Sequence, residues 1–388
     1  QDIPTRIEAI TGEELGEKAA MNSTNIGMLL RETTGVQMQQ TSLSSGNMSI
    51  RIQGLDGRYT QILKDGMPLY SGFAGSLSIM QIPPLDLKQV ELIKGSNSTL
   101  YGGGAIAGLV NLVTIQPTEE PKLDIMLNQT SALGTTGNIF YAQKYGKVGF
   151  SIYGSANYQI AYDPDNDGFS NMPEAQTYSL NPKLFYYFNS NTELSLGLNT
   201  TIDNRKGGDM EVIKGNSNTE HVFTEENKSE RYASQLNFTN TTDHRTISFK
   251  NSVSYFDRKL TIPDYIFNGN QLSSFTEAMY NLHNKEKTEW QVGINHYLEK
   301  FSEIRTDTLA LRDFTHNTIG GFIQNTTNFS SKFVLETGFR TDYNPDYGPF
   351  YLPRFSLLYK ANSKLSSRLG GAMGYKLPTI FTEDAEKI

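Results

Sequence analysis

From Pro121 onward the chain repeats one pattern, and that pattern leaves few folds open. Val148, Phe150, Ile152, Ala156 and Tyr158 fall on one phase, with Ser151, Tyr153, Ser155 and Asn157 on the other. Leu194, Leu196 and Leu198 oppose Ser195, Gly197 and Asn199. Ile247, Phe249, Val253 and Tyr255 oppose Ser248, Lys250, Ser252 and Ser254 in the same way. A period of two with one apolar face denotes a half-buried strand. Roughly thirteen such strands can be counted, each of about ten residues, the length a tilted strand needs to cross a bilayer.

The connections decide which sheet this is. Short ones fall near Tyr145-Gly146, Asn189 to Thr192, Thr241 to Arg245, His283 to Lys287, Ser330-Ser331 and Ala361-Asn362. Long ones lie between them, at 159–175, 204–229, 258–270, 299–314 and 342–350, while the first, Gly134 to Gly137, is tight. Transmembrane barrels have short periplasmic turns and longer extracellular loops, and a soluble sandwich has no reason to keep that parity. No run of about 18 apolar residues exists, so no transmembrane helix is expected. A hydrophobic content of 37% alongside 21 Tyr and 21 Phe fits alternating strands instead. An odd number of strands leaves an edge in lipid, where unpaired backbone is costly. The expectation is therefore an incomplete barrel, with more strands beyond Ile388.

The stretch before Pro121 has a different texture. Residues 88–115 read as strand, glycine turn, strand, with Val90, Leu92, Leu109, Leu112 and Val113 as apolar content. Gly102-x-Gly104-x-x-Ala107 fits a loose dinucleotide pattern, but that pattern needs a helix straight after the glycines. Leu109 to Ile115 is apolar and β-branched, and Pro117 and Pro121 follow, so no helix has room. Arg6 to Ile10 reads as a strand, and Thr11 with Glu14 as a capping box opening a helix. Asn25 can cap a further turn through Leu30 that ends at Gly35. Tyr59 to Lys64 reads as a hairpin arm turning at Asp65-Gly66.

Two blocks in this region resemble the plug domain of TonB-dependent outer-membrane receptors. One is Gln89-Val90-Glu91-Leu92-Ile93-Lys94-Gly95 followed by Leu100-Tyr101-Gly102 and Ala105 to Leu112. The other is Ile50-Arg51-Ile52-Gln53-Gly54-Leu55-Asp56-Gly57-Arg58 leading into Ile62 to Pro68. Lys94 stands where the family usually has Arg. The likeness is to the iron-complex and colicin receptors of Bacteroidetes type. It implies an α+β plug, residues 1–117, inside an antiparallel transmembrane β-barrel whose N-terminal part is residues 118–388. The family's barrel has twenty-two strands, and its TonB box is not recognisable here.

The resemblance also implies a function. Such a receptor imports a scarce ligand, a ferric siderophore or similar metal chelate, across the bacterial outer membrane. TonB supplies the energy, and the partners are the ligand and outer-membrane lipid. Ser44, Ser45, Asn47, Tyr70 and Phe73 lie in the two plug loops that, in the family, touch the ligand. Arg51 and Lys94 are implied to pair with barrel-wall carboxylates that lie partly beyond Ile388, with ordinary surface charge as the alternative. Alternatives are a cobalamin, haem or glycan importer, the last with a surface lipoprotein, or a passive plugged porin.

Asp163, Asp165, Asp167, Phe169 and Glu174 match the spacing of the twelve-residue calcium loop, D-x-D-x-D-G-x5-E. Three Asp and one Glu with the Phe169 carbonyl could supply hard oxygens, and Gly168 allows the sharp turn. Pro164 and Pro173 exclude an EF-hand helix pair. A structural calcium in an outer loop is the reading; a solvated acidic turn is the alternative. The five histidines are scattered, and of them His221, in a long loop, is placed to meet an external ligand. No nucleophilic triad or paired carboxylates stand out, so no enzyme and no catalytic cofactor are expected. A net charge of −7 argues against nucleic acid, and the absence of Cys excludes disulfides. Trp290, Tyr297, Tyr343 and Tyr347 read as interfacial belts.

Overall fold

The computed structural model describes residues 4–21, 23–42, 44–70, 72–75, 79–284, 287–304, 312–362 and 364–379. Its first part is a small α+β unit. Strands β1 (Ile7–Thr11), β2 (Val36–Gln40), β3 (Met48–Ile52), β4 (Thr60–Lys64), β5 (Met67–Tyr70), β6 (Leu87–Lys94) and β7 (Gly108–Thr114) alternate with helices α1 (Gly12–Met21), α2 (Gly27–Arg31) and α3 (Ser98–Tyr101). Five strands form one sheet in the order β1-β6-β7-β4-β5, and β2 with β3 make a separate hairpin. Within that sheet only β4 and β7 run parallel.

Local chemistry explains the turns. Asn25 Oδ1 accepts from the Gly27 N–H at 2.9 Å and starts α2. Asp65 and Gly66 both take positive φ, the geometry a two-residue hairpin turn requires, and Asp65 Oδ1 accepts from Thr114 N. α3 ends at Gly102, at φ +88°, so the helix precedes the glycines instead of following them. Ile26, Leu29, Leu30, Ile50, Ile52, Val90, Leu92, Val110 and Leu112 close one apolar core between sheet, hairpin and helices.

Thirteen strands form the second part, a single antiparallel sheet in strict sequence order. They are β8 (Lys122–Gln129), β9 (Thr135–Tyr145), β10 (Val148–Gln159), β11 (Glu174–Asn189), β12 (Thr192–Gly208), β13 (Thr224–Thr241) and β14 (Arg245–Ile262). β15 (Tyr265–Asn284), β16 (Thr288–Glu303), β17 (Phe314–Asn328), β18 (Phe333–Asn344), β19 (Gly348–Lys360) and β20 (Ser366–Ala372) complete it. The alternation places Leu196 and Leu198 outward at 49% and 52% exposure, and Ser195 inward at 5%. Val148, Phe150, Ile152, Phe249, Val253 and Tyr255 also face out, while Ser151, Ser248 and Ser252 face in. An apolar outer face and a polar inner one suit a wall with lipid outside and a polar lumen within.

All six short turns stand where the sequence puts them, but two of the long loops do not. Residues 258–270 are the continued arms of β14 and β15, joined at Pro263-Asp264, and Asp264 takes a φ of +62°. Residues 342–350 shrink to the three between β18 and β19. The reason lies in the inward phase: Phe256, Leu260 and Phe267 are buried against the plug, so the ladder gains by continuing above the bilayer. The long connections among the described residues are 160–173 and 209–223, which bracket β11 and β12; 223 precedes β13, and α4 (Met210–Ile213) lies in the second. Part of 299–314, residues 305–311, lies outside the described residues.

Candidate functional site

The plug meets the wall through polar contacts, and the wall brings most of the charge. Lys183 Nζ on β11 reaches Asp65 Oδ2 at 2.8 Å. Gln81 Nε2 donates to Asp203 Oδ2 on β12 at 3.3 Å and to Ser229 Oγ on β13 at 2.9 Å, while Arg231 Nε donates to Gln81 Oε1. Ser42 Oγ donates to both oxygens of Glu225 at 3.2 Å. Buried charge is tolerable here because each group finds a hydrogen-bond partner across the junction. Close approach adds specificity: a Cβ on Gly338 would collide with Thr99, and one on Gly103 with Tyr375.

Among the described residues, the ion pairs of Arg51 and Lys94 lie within the plug. Lys94 Nζ lies 2.6 Å from Glu8 Oε2 inside the plug, because β1 runs beside β6. Arg51 lies 3.9 Å from Asp56 Oδ2, also within the plug. Charges at the junction include Lys183 and Asp65 along with Asp203, Glu225 and Arg231, and Arg340 and Arg354 donate to Thr99 O and Thr5 Oγ1 from the wall.

The apex residues divide. Asn47 and Phe73 border a cavity of about 310 Å³ between plug and wall. Phe73 is fully buried, however, with its ring 5.2 Å from Phe256, 5.5 Å from Phe267 and 5.0 Å from Phe301. It anchors the loop to the wall at the strands' outer ends, so an exposed place at the mouth is not what the structure gives it. Ser44 and Ser45 pack on β12 instead: a Cβ on Gly207 would strike Ser44 O, and Arg205 Nη1 donates to Ser45 O at 3.5 Å. The side chain of Tyr70 lies outside the described residues.

The cavity's wall side comes from β16 (Tyr297, Glu299), β17 (His316, Thr318), β18 (Arg340, Asp342) and Tyr375 beyond β20. Arg340 is fully buried, its Nη2 donating to Asn295 Oδ1 at 2.7 Å and its Nε 2.7 Å from Asp342 Oδ1. Tyr375 stacks on Phe350 at 3.8 Å, donates its hydroxyl to Asp342 Oδ2 at 2.9 Å, and donates its N–H to Gly103 O at 3.1 Å. Tyr297 thus faces the lumen and is no belt residue, whereas Trp290 and Tyr343 point outward. His316 packs between Phe314 and Tyr347, is 7% exposed, and has no hydrogen-bond partner at either ring nitrogen among the described residues.

Of the calcium set, Asp163, Asp165 and Asp167 come together, with one oxygen from each within 4.8 Å of the others. Asp163 Oδ2 accepts from Gly168 N at 3.0 Å, while its Oδ1 is buried with no partner. Burial works to raise the Asp163 carboxyl, but the Gly168 N–H and the Asp165 side chain hold it below its ordinary value. Glu174 stands apart as the first residue of β11, opposite Lys206 on β12. The Phe169 backbone bridges to Asp209. Three convergent carboxylates and an orphaned oxygen fit a hard cation; Glu174, at the twelfth position, is not in the converging group. His221 lies elsewhere in the outer layer, with Nδ1 2.7 Å from Asp209 Oδ2.

The wall residues of the cavity escaped the sequence reading. Their signal was present: Arg340-x-Asp342 places opposite charges on successive inward positions, as Asp203-x-Arg205 does on β12. His316 sits on the same inward phase as Thr318, Phe322 and Gln324.

Residues 1–109 match the family model described as the TonB-dependent receptor plug domain. A vitamin B12 transporter, BtuB, of Photobacterium profundum is 26% identical over 185 residues, 44% of this chain and 29% of that protein. Among solved structures, a mutant of the ferric enterobactin receptor PfeA of Pseudomonas aeruginosa superposes with a TM-score of 0.79 at 16% identity, over 96% of this chain and 62% of that one. The siderophore receptor PirA of Pseudomonas aeruginosa gives 0.73 at 18% identity, over 98% and 63%. At such identities the structural likeness bears on fold, and the chain spans less than two thirds of each of these proteins.

Proposed function

We propose that the chain is the plug and part of the barrel wall of a TonB-dependent receptor of the bacterial outer membrane, and from that premise follows what it carries and how. The full receptor binds an external metal chelate, a ferric siderophore or a related complex, in the cavity between plug apex and wall. It releases the chelate inward when TonB draws on the plug. The observation that carries this reading is the seating of the plug. It is held by hydrogen bonds and ion pairs such as Lys183–Asp65, Gln81–Asp203 and Arg340–Thr99 O. Each such contact is worth only about 0.5–1.5 kcal/mol net, or about 1.5–3 where charged, so a modest pull can undo them in turn. A corrinoid is the second reading, favoured by the match to a B12 transporter.

The test is uptake by the full-length receptor in an outer membrane, with labelled ferric enterobactin and cyanocobalamin as probes. Saturable uptake of one probe that vanishes in a TonB deletion supports active import. Uptake that persists without TonB makes the protein a passive porin.

We also propose that Asp163, Asp165 and Asp167 hold a calcium ion in the loop at 160–173. The ion would neutralise carboxylates that otherwise repel one another and would fix the loop against the end of β12 through Ser170 and against Asp209 and Met210 through the Phe169 and Gly168 backbone.

A further inference from the structure

We propose that His316 is a specificity-determining residue of the cavity, reading an amide or hydroxyl edge on an electrically neutral chelate. The proposal rests on the import reading above and narrows its ligand. His316 lies at the outer end of β17, on the lumen face, with its ring held between Phe314 at 4.9 Å and Tyr347 at 6.1 Å. Packing alone would be served by phenylalanine. The imidazole instead brings one donor and one acceptor, and neither finds a partner among the described residues although the residue is only 7% exposed. Leaving such groups unmet is costly, and native structures rarely do so without a reason.

The opposite side of the same cavity repeats the feature. Asn47 Oδ1 and Thr60 Oγ1, both on the plug, are buried without partners and border the space that His316 borders. Unmet groups on plug and wall that face one cavity point to a ligand bridging the two. Its charge follows from what else lines the space. Asp56 is bonded to Arg58, and Asp342 lies against Arg340. Glu299, directly across from His316 in the β16–β17 ladder, has no cation against it among the described residues. Lys376 lines the same space, so its three carboxylates and three cations balance; a polyanion would meet no excess of positive charge there, whereas a neutral ligand rich in amides or hydroxyls would meet donors and acceptors that lack only a partner.

The experiment uses the purified full-length receptor with two probes, cyanocobalamin as the neutral, amide-rich chelate and ferric enterobactin as the polyanionic catecholate. Wild type should bind cyanocobalamin more tightly. His316→Phe should weaken that binding by about tenfold, the scale of one lost buried hydrogen bond. The melting temperature of the ligand-free protein should not fall, because the ring stack remains. His316→Gln, which keeps a donor and an acceptor, should restore most of the affinity. Tighter binding of ferric enterobactin overturns this proposal while leaving import of a metal chelate intact. So does a His316→Phe affinity within about a factor of two of wild type. Binding of neither probe overturns both.

Discussion

The plug and the wall are built from strands of the same period and turn it to opposite use. In the plug, Ile52, Val110 and Leu112 are fully buried in an apolar core. In the wall, Leu196, Ile294 and Ile319 face out, while Arg205, Arg258 and Arg340 are buried within. The same alternation therefore does not say which face is inside; the solvent does. Where lipid surrounds the sheet, the interior becomes the place for charge, and the element that fills it must be joined by hydrogen bonds. This is why the plug's contacts with the wall differ so much from the contacts inside the plug.

The largest effect should come from breaking the wall's polar interior. Arg340→Ala leaves Asp342 buried without its cation and Asn295 and Thr99 O without their donor. A loss of about 3–5 kcal/mol is expected from such a deletion. Replacing Arg340 and Asp342 together by Leu should recover much of it, as paired buried charges often exchange for apolar groups at little cost. Denaturant titration of the full-length receptor, read by the mobility of the folded barrel, checks both variants. A single variant as stable as wild type would mean that the wall interior behaves like a solvated surface.

The next effect sharpens the outward half of the comparison. Leu196→Arg, on the lipid face of β12, should cost roughly 2–4 kcal/mol if it lies near the bilayer middle. Leu196→Phe should be near neutral. Ser195→Ala, one residue away and facing in, should change little. Equal costs for the Arg and Phe variants in lipid would contradict the assignment of faces.

How far the sequence carried the reading follows from the same contrast. Strand number, the short turns and the Asp65-Gly66 hairpin were legible because they rest on local periodicity and turn chemistry. The plug blocks were legible through resemblance, which the match over residues 1–109 supports. The contact of Lys94 with Glu8 was not legible, because Glu8 is 86 residues away in sequence and reaches it only through the β1–β6 pairing. Phe73 looked like an exposed loop aromatic because its neighbours Phe256, Phe267 and Phe301 lie on three different strands. Glu174 fitted the calcium spacing but is not in the converging group.

Removing calcium should act more gently, since the outer loops carry no core. Chelator should raise amide exchange across 160–173 while leaving β11 and β12 protected. Asp165→Ala with Asp167→Ala should show the raised exchange at once and lose sensitivity to chelator. Terbium luminescence in the wild type, absent in the double variant, would place the ion at these carboxylates. Exchange that ignores chelator would leave the cluster a solvated turn.

The smallest effect belongs to the neighbouring loop, and its sign can be worked out. The hydrogen bond that the His221 ring donates to Asp209 raises the His221 pKa above its ordinary 6.5, against a smaller opposing effect of burial. Burial works against the Asp209 carboxylate, but His221 and the Glu211 N–H hold its pKa below the ordinary 3.8. A raised histidine favours the folded loop fully below its ordinary pKa, and that contribution is lost as pH rises through the raised value. A lowered carboxylate favours it above its ordinary pKa and is lost as pH falls through the lowered value. The pair is therefore strongest between the two ordinary values and weakens on the alkaline side first. Exchange protection of residues 209–223, corrected for the intrinsic rate, should decline as pH rises from below 6.5 through the raised His221 pKa. His221→Gln should flatten that decline while leaving the protection of β12 and β13 unchanged. A decline of the same size in the variant would assign the pH dependence to another group and leave the His221–Asp209 contact without energetic weight.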